Sequence, residues 1–278
     1  RAGRRTPVDC DVTVTRRDTG KRLRPSELLR RLARDFDVTL AFHQEGPLEE
    51  AQARPLRDAG LRLLPVPRPA LRKAGPRFAL DLFRNLFLGV PYMVMAHRTR
   101  AMRAALAVEV ERRPPDLLHV EWTPLAANLP PAPGIPRCVA AHNVETQIWE
   151  RYAEHERRFL RRAYVRIQVA KVRRYERGAL AGADAVLAVS EGDAERIRRD
   201  TGQAHVTVVP NGVDPETFAP APATEVEPDA TVFVGSLDWR PNQDAVAWFL
   251  AEAWPQVRAA RPAASFTAEP LPVVLDEG

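Results

Sequence analysis

The sequence predicts an α/β protein in which parallel strands alternate with helices that cover both faces of a sheet. Three observations lead there. Short apolar runs of strand length alternate along the chain with longer stretches of helical period. Three of those runs end in polar or glycine-bearing strings, AHNVE at 141–145, VVPNGVD at 208–214 and FVGSLDWRPN at 233–242. Strand ends of this kind are where open α/β sheets bind ligands. The chain has 278 residues, 45% hydrophobic and 28% charged, enough for one large core or two smaller ones.

Taken in order, VDCDVTV at 8–14 is the first strand, interrupted by Asp9 and Asp11. A helix follows in RPSELLRRLARDF, with Ser26 as its N-cap and Leu28, Leu29 and Leu32 on one stripe. VTLAF at 38–42 and LRLLPVP at 61–67 are short strands. The most apolar run, 78–95, contains Asp81, Arg84, Asn85 and Pro91, so it reads as a core or interfacial helix rather than a membrane span. LLHVEW at 117–122 and RCVAAHN at 137–143 are two more strands, separated by the turn LPPAPGIP. One long helix is expected over 146–180, with Trp149, Tyr152, Phe159, Tyr164, Ile167 and Tyr175 among its apolar positions. ADAVLAVS at 183–190 is a strand, and Ser190 caps the next helix with Asp193 three residues on. HVTVVP at 205–210 closes this half.

The stretch that follows is rich in proline and acidic residues and has no hydrophobic period, which marks a linker. The division expected is therefore a domain over 1–212, a linker over 213–230 and a second, incomplete α/β domain over 231–278. In the latter TVFVGSL is a strand, QDAVAWFLAEAWPQVRAA a helix, and ASFTAEPLPVVL starts another strand.

Two cysteines, Cys10 and Cys138, make neither a disulfide framework nor a metal-ligand spacing, so a reducing, cytoplasmic setting and no metal are expected. The first residue is Arg1 and no signal segment follows it, which suggests a fragment rather than a secreted protein. The net charge of +5 is local in origin: residues 157–177 hold nine Arg or Lys against one Glu, and the rest of the chain is net negative. In this stretch the cations interleave with Phe159, Tyr164, Ile167, Val172 and Tyr175. That pattern fits either peripheral contact with an anionic membrane, at its cytoplasmic face, or a solvated helix face. No recognised nucleic-acid-binding module accompanies it, so nucleic acid is not expected as a partner. The strings HExxH, GxSxG, GxxxxGK[ST] and CxxC are absent from the sequence.

The three strand-end strings, in this order, resemble the GT-B glycosyltransferases, and within them the retaining, nucleotide-sugar-dependent family of exopolysaccharide type. The resemblance implies two Rossmann-like domains with parallel sheets. It also implies transfer of a sugar, with retention, from a nucleotide-sugar donor to a glycan or lipid-linked acceptor, with no cofactor. His142 matches a position that in this family lies in the cleft between the domains and hydrogen-bonds donor or acceptor; the other reading is a histidine that caps the next helix. Glu121, Asn143 and Glu145 stand on the acceptor side in this comparison, and Glu121 reads equally as a capping or solvent-facing residue. Gly20, in DTGKRLR, resembles the glycine loop after the family's first strand, or a plain turn.

On the donor side, VVPNGVD lies at the family's domain crossover. Asn211 and Gly212 both tolerate positive φ and suit a sharp turn, and Asn211 is a candidate phosphate contact. Gly235 ends a strand just before a helix, and the backbone N–H groups of such a helix start suit a diphosphate. Where the wider family often has Arg after this glycine and Lys at the helix start, this chain has Ser236 and Asn242, with Arg240 as the nearby cation. Family members also carry an E-x7-E pair farther into this domain, which grips sugar and ribose; Glu269 and Glu277 have that spacing, but residues 231–278 are about half of the roughly 100 residues such a domain needs. Residues 1–278 alone are therefore expected to turn over slowly or not at all. The alternative function is a non-catalytic module that binds an acceptor or a membrane.

Overall fold

The computed structural model describes residues 4–9, 28–48, 50–71, 74–215, 219, 227–235, 237 and 240–269. They fall into two compact units that part between Asn211 and Gly212. In the first unit, seven strands form one sheet: β1 (Arg4–Asp9), β2 (Phe36–Gln44), β3 (Arg62–Pro67), β4 (Leu118–Val120), β5 (Arg137–Ala141), β6 (Ala185–Ala188) and β7 (Val206–Val208). Their order is β3-β2-β1-β4-β5-β6-β7, and every pairing is parallel. This is the α/β architecture expected. The order reverses between β1 and β4, which makes the carboxyl ends of those strands the switch point of a doubly wound sheet.

β2 shows why helices must lie on both faces. Alternate residues of a strand point to opposite sides. Val38, Leu40 and Phe42 pack with Leu29, Leu56 and Leu61, on the side of α1 (helical at 28–32) and α2 (Glu50–Asp58). Ala41 packs with Val66 and with Met102 and Leu106 of α5 (Arg100–Arg112). The core continues through Val120, Val139, Val186 and Ala188 of the sheet to Leu180 of α7 (Phe159–Ala181) and Ala194 and Ile197 of α8 (Glu191–Thr201).

Several local expectations need correction. β1 starts at Arg4 rather than residue 8, because pairing on both flanks, to β2 and β4, holds a segment whose own composition is a poor strand; residues 10–14 and Ser26 lie outside the described residues. The long helix expected over 146–180 is two, α6 (Glu145–His155) and α7. Between them the Glu156 carboxylate turns inward and accepts from the N–H of Arg158, the residue before α7, at 2.9 Å. The apolar run at 78–95 is likewise two helices, α3 (Pro76–Leu86) and α4 (Tyr92–His97), separated by residues 87–91, with Pro91 at the N-cap of α4. α2 and α5 had no sequence assignment. The cap at Ser190 is as expected: its Oγ accepts from the Asp193 N–H at 3.2 Å.

In the second unit β8 (Ala230–Val234) pairs in parallel with β9 (Ser265–Glu269), with Ala230 opposite Ser265 and Val234 opposite Glu269. The crossover runs through α9 (Arg240–Trp248), a π-helical stretch at Phe249–Ala253 and α10 (Trp254–Ala260). Phe249, Trp254 and Phe266 stack their rings at centroid distances of 4.9 to 6.0 Å and tie helix to strand.

Candidate active site

β4 and β5 end side by side next to the switch point, and the two residues that directly follow them are Glu121 and His142. Register sets the geometry. His119 lies opposite Cys138, and the alternation of a strand puts His119 and Glu121 on the same face as Cys138. On that face His119 Nε2 donates to Glu121 Oε1 at 2.7 Å, and His142 Nε2 donates to Glu121 Oε2 at 3.0 Å. An ionised carboxylate only accepts, so both imidazoles present Nε2–H to it. His142 is thereby fixed in one ring orientation, with Nδ1 as its second polar atom, able to accept when the ring is neutral and to donate when it is protonated.

Electrostatics hold this arrangement. Burial alone would push the Glu121 carboxyl up, but hydrogen bonds from His119 and His142 outweigh it and hold the group well below the ordinary carboxylate range. Burial also disfavours the His119 cation; contacts with the Cys138 thiol and the Glu121 carboxylate reverse that and raise its pKa to about 9. A protonated His119 beside an ionised Glu121 forms a buried neutral pair, on which the His142 side chain, 20% exposed, is mounted.

Glu145 and Asn143 follow on the same loop. Asn143 is exposed. Glu145 is turned inward, at 7% exposure, and Oε1 accepts from the Trp122 indole N–H at 2.7 Å. The Trp122 ring meets His97 edge to face at 4.9 Å. Glu176 of α7 fixes the start of α6: its carboxylate accepts from the N–H of Glu145 at 2.7 Å, the N–H of Thr146 at 3.0 Å and the Thr146 hydroxyl at 2.5 Å. Burial pushes the Glu176 carboxyl up. The loop bearing His142 is thus pinned at Glu121 before it and Glu176 after it. Val144 caps α6 with no side-chain bond, and His142 bonds across to β4 instead of capping.

Asn211 and Gly212 lie exposed past β7, and neither adopts positive φ, so the sharp left-handed turn expected there does not form. In the second unit Gly235 is buried, and a Cβ on it would come within 3.0 Å of Asn242 Nδ2 and of the Phe233 ring. A side chain at 235 would make the Asn242 amide and the Phe233 ring shift by a few tenths of an ångström. Arg240 is the first residue of α9. Gly20 and Ser236 lie outside the described residues. Among the described residues no group of His, Cys, Asp and Glu converges as metal ligands. A cavity of about 450 Å³ in the first unit is lined by Ala126, Leu129, Tyr175 and Gly178, among others, and includes neither Glu121 nor His142. The three titratable groups His119, Glu121 and His142 converge instead at the carboxyl ends of β4 and β5.

His119, Trp122 and Glu176 were not singled out in the sequence. For His119 a signal existed, since His and Glu two apart on a strand share a face; for Glu176 none did, because its partners lie thirty residues away.

A family model described as a glycosyl transferase 4-like domain matches residues 19–212. The chain belongs to the glycosyl transferase 4-like domain family. The match ends one residue beyond the first unit and takes in β2 to β7 with their helices, β1 preceding it. Among solved structures, Anabaena HepE in complex with UDP-glucose is similar over 96% of this chain and 69% of its own, at 11% identity and a TM-score of 0.48. Medicago truncatula UGT71G1 complexed with UDP-glucose is similar over 96% and 72%, at 9% identity and a TM-score of 0.48. No curated protein matches the chain.

Proposed function

We propose that this glycosyl transferase 4-like chain moves a sugar from a nucleotide-sugar donor to a glycan or lipid-linked acceptor, with retention at the anomeric carbon. The observation that carries the reading is the Glu121–His142 pair at the ends of β4 and β5, next to the switch point of a doubly wound sheet, in a chain of a glycosyl transferase family. In this reading the bond between the anomeric carbon and the leaving phosphate oxygen breaks as the acceptor oxygen attacks from the same face. The acceptor proton passes to the departing diphosphate. Catalysis then rests on positioning and on charge stabilisation, which need no resident cofactor.

His142 is the catalytic residue of this proposal, hydrogen-bonding donor or acceptor through Nδ1. Glu121 positions it, and Glu145 acts through Trp122; with Asn143 and Gly20 these residues serve the acceptor side. Gly235, Ser236, Arg240, Asn242 and Asn211 serve the donor phosphates, supported by the close approach at Gly235 and by the N-terminus of α9.

Calorimetric titration with UDP, GDP, ADP and dTDP tests the donor reading. One diphosphate is expected to bind, and Arg240→Ala is expected to weaken it about tenfold, the loss of one charge-assisted contact. If none of the four binds, the donor reading fails and the non-catalytic, acceptor-binding module takes its place.

A further inference from the structure

α3 turns part of its apolar surface outward: Phe78, Leu82 and Leu86 are half-buried, but Leu80 and Phe83 are exposed. Its strongly amphipathic sequence would ordinarily bury the apolar stripe. Here the residue at the centre of the inward face is Asn85, fully buried. Its Oδ1 accepts from Gln168 Nε2 at 2.8 Å, and its Nδ2 donates to the Val90 carbonyl at 3.0 Å. Gln168 of α7 is also fully buried, and its Oε1 accepts from the Tyr92 N–H at 2.9 Å, which fixes α4. Lys171 Nζ donates to the carbonyls of Asn85 and Leu86, and an Arg174 guanidinium N–H donates to the Gly89 carbonyl at 2.5 Å. Buried polar bonds of this kind specify one orientation of the helix. They leave Leu80, Phe83 and Phe87 on the outer stripe, with Leu88 beyond it; Phe83 is 58% and Phe87 76% exposed, and their rings meet edge to face at 5.3 Å.

The surroundings are basic. Arg77 and Arg84 lie exposed on α3 itself. α7, bonded to α3 through Gln168 and Lys171 and to the turn after it through Arg174, belongs to the stretch of nine cations against one Glu, and that Glu is the buried Glu176. At the start of α7, Phe159 and Leu160 are about four-fifths exposed, with Arg161 and Arg162 beside them. No described helix is long and apolar enough to cross a membrane.

We propose that the outer stripe of α3, centred on Phe83 and Phe87, inserts into the interface of an anionic lipid bilayer, with the cations of α3 and α7 on the headgroups. Charge complementarity selects this occupant: aromatic side chains ringed by Arg and Lys match a negatively charged, apolar-cored surface, whereas two copies of so basic a face repel one another. The site goes beyond the basic stretch at 157–177 and stands independently of the donor reading.

Flotation of the 278-residue chain with vesicles of phosphatidylglycerol and phosphatidylcholine tests it. Binding to vesicles rich in phosphatidylglycerol, fading with salt and weak on pure phosphatidylcholine, is expected. The double change Phe83→Ser with Phe87→Ser should lower partitioning at least about tenfold, because burying even one Phe is worth that much. Val108→Ser, at an apolar residue 48% exposed on α5, should leave it unchanged. In a Phe83→Trp variant, brominated lipid should quench the new indole, a readout that does not depend on loss of binding. No flotation, flotation indifferent to the double change, or a dimer in velocity sedimentation that the double change abolishes would each overturn the proposal. None of these bears on nucleotide binding, so the two readings fail separately.

Discussion

His119 makes the stability of the first unit depend on pH in a direction that can be worked out. Its pKa is raised from 6.5 to about 9 in the folded chain. A group that holds its proton more tightly when folded stabilises the fold fully below the unfolded pKa, and that contribution is lost as pH rises through the folded one. The window is therefore pH 6.5 to about 9. At about 1.4 kcal/mol per pH unit, the loss across it reaches roughly 3 kcal/mol. His119 Nε2 lies 2.7 Å from Glu121 Oε1 and both side chains are buried, so solvent screens the pair little. Glu121 acts in the opposite sense: its depressed pKa contributes stability above the ordinary carboxylate value of 4.5, lost as pH falls below it. The assay is urea unfolding at half-unit steps from pH 6 to 9.5, comparing the chain with His119→Gln, which keeps an amide donor toward Glu121 but no titration. The native chain should lose about 3 kcal/mol more than the variant across the window. Equal slopes for both proteins would refute the assignment of a charged His119 beneath His142.

Glu176→Ala strips three hydrogen bonds from the start of α6 and should cost roughly 2–4 kcal/mol in urea unfolding, more than an exposed N-cap loses. Gly202 ends α8 at φ 74° in open space, so Gly202→Ala should cost only about 1 kcal/mol in thermal unfolding, the price of the left-handed backbone alone.

Much of this architecture is written locally. The strands β2 to β6 follow apolar runs, the α8 cap is a short-range pattern at Ser190 and Asp193, and the ends of the runs LLHVEW and RCVAAHN mark where Glu121 and His142 stand. What escapes is set by distant partners. The break at Glu156 depends on a carboxylate that turns inward and bonds the Arg158 N–H, which a continuous helical period does not reveal. The orientation of α3 depends on Asn85 meeting Gln168, eighty-three residues on, and an apolar stripe has the same period whether it faces the core or the surface. The inward turn of Glu145 depends on Trp122, and the pairing of Glu121 with His142 depends on the register of β4 on β5. Each strand end was visible; which ends adjoin was not.

The central claim is that His142, oriented by Glu121, takes part in sugar transfer. The most direct test is single-turnover release of nucleoside diphosphate from a panel of nucleotide sugars by the native chain, Glu121→Gln and His142→Gln. The account predicts slow release from one donor, lowered about a hundredfold in His142→Gln with diphosphate affinity unchanged, and lowered less in Glu121→Gln, which still accepts one hydrogen bond. Release at the native rate from His142→Gln would contradict it.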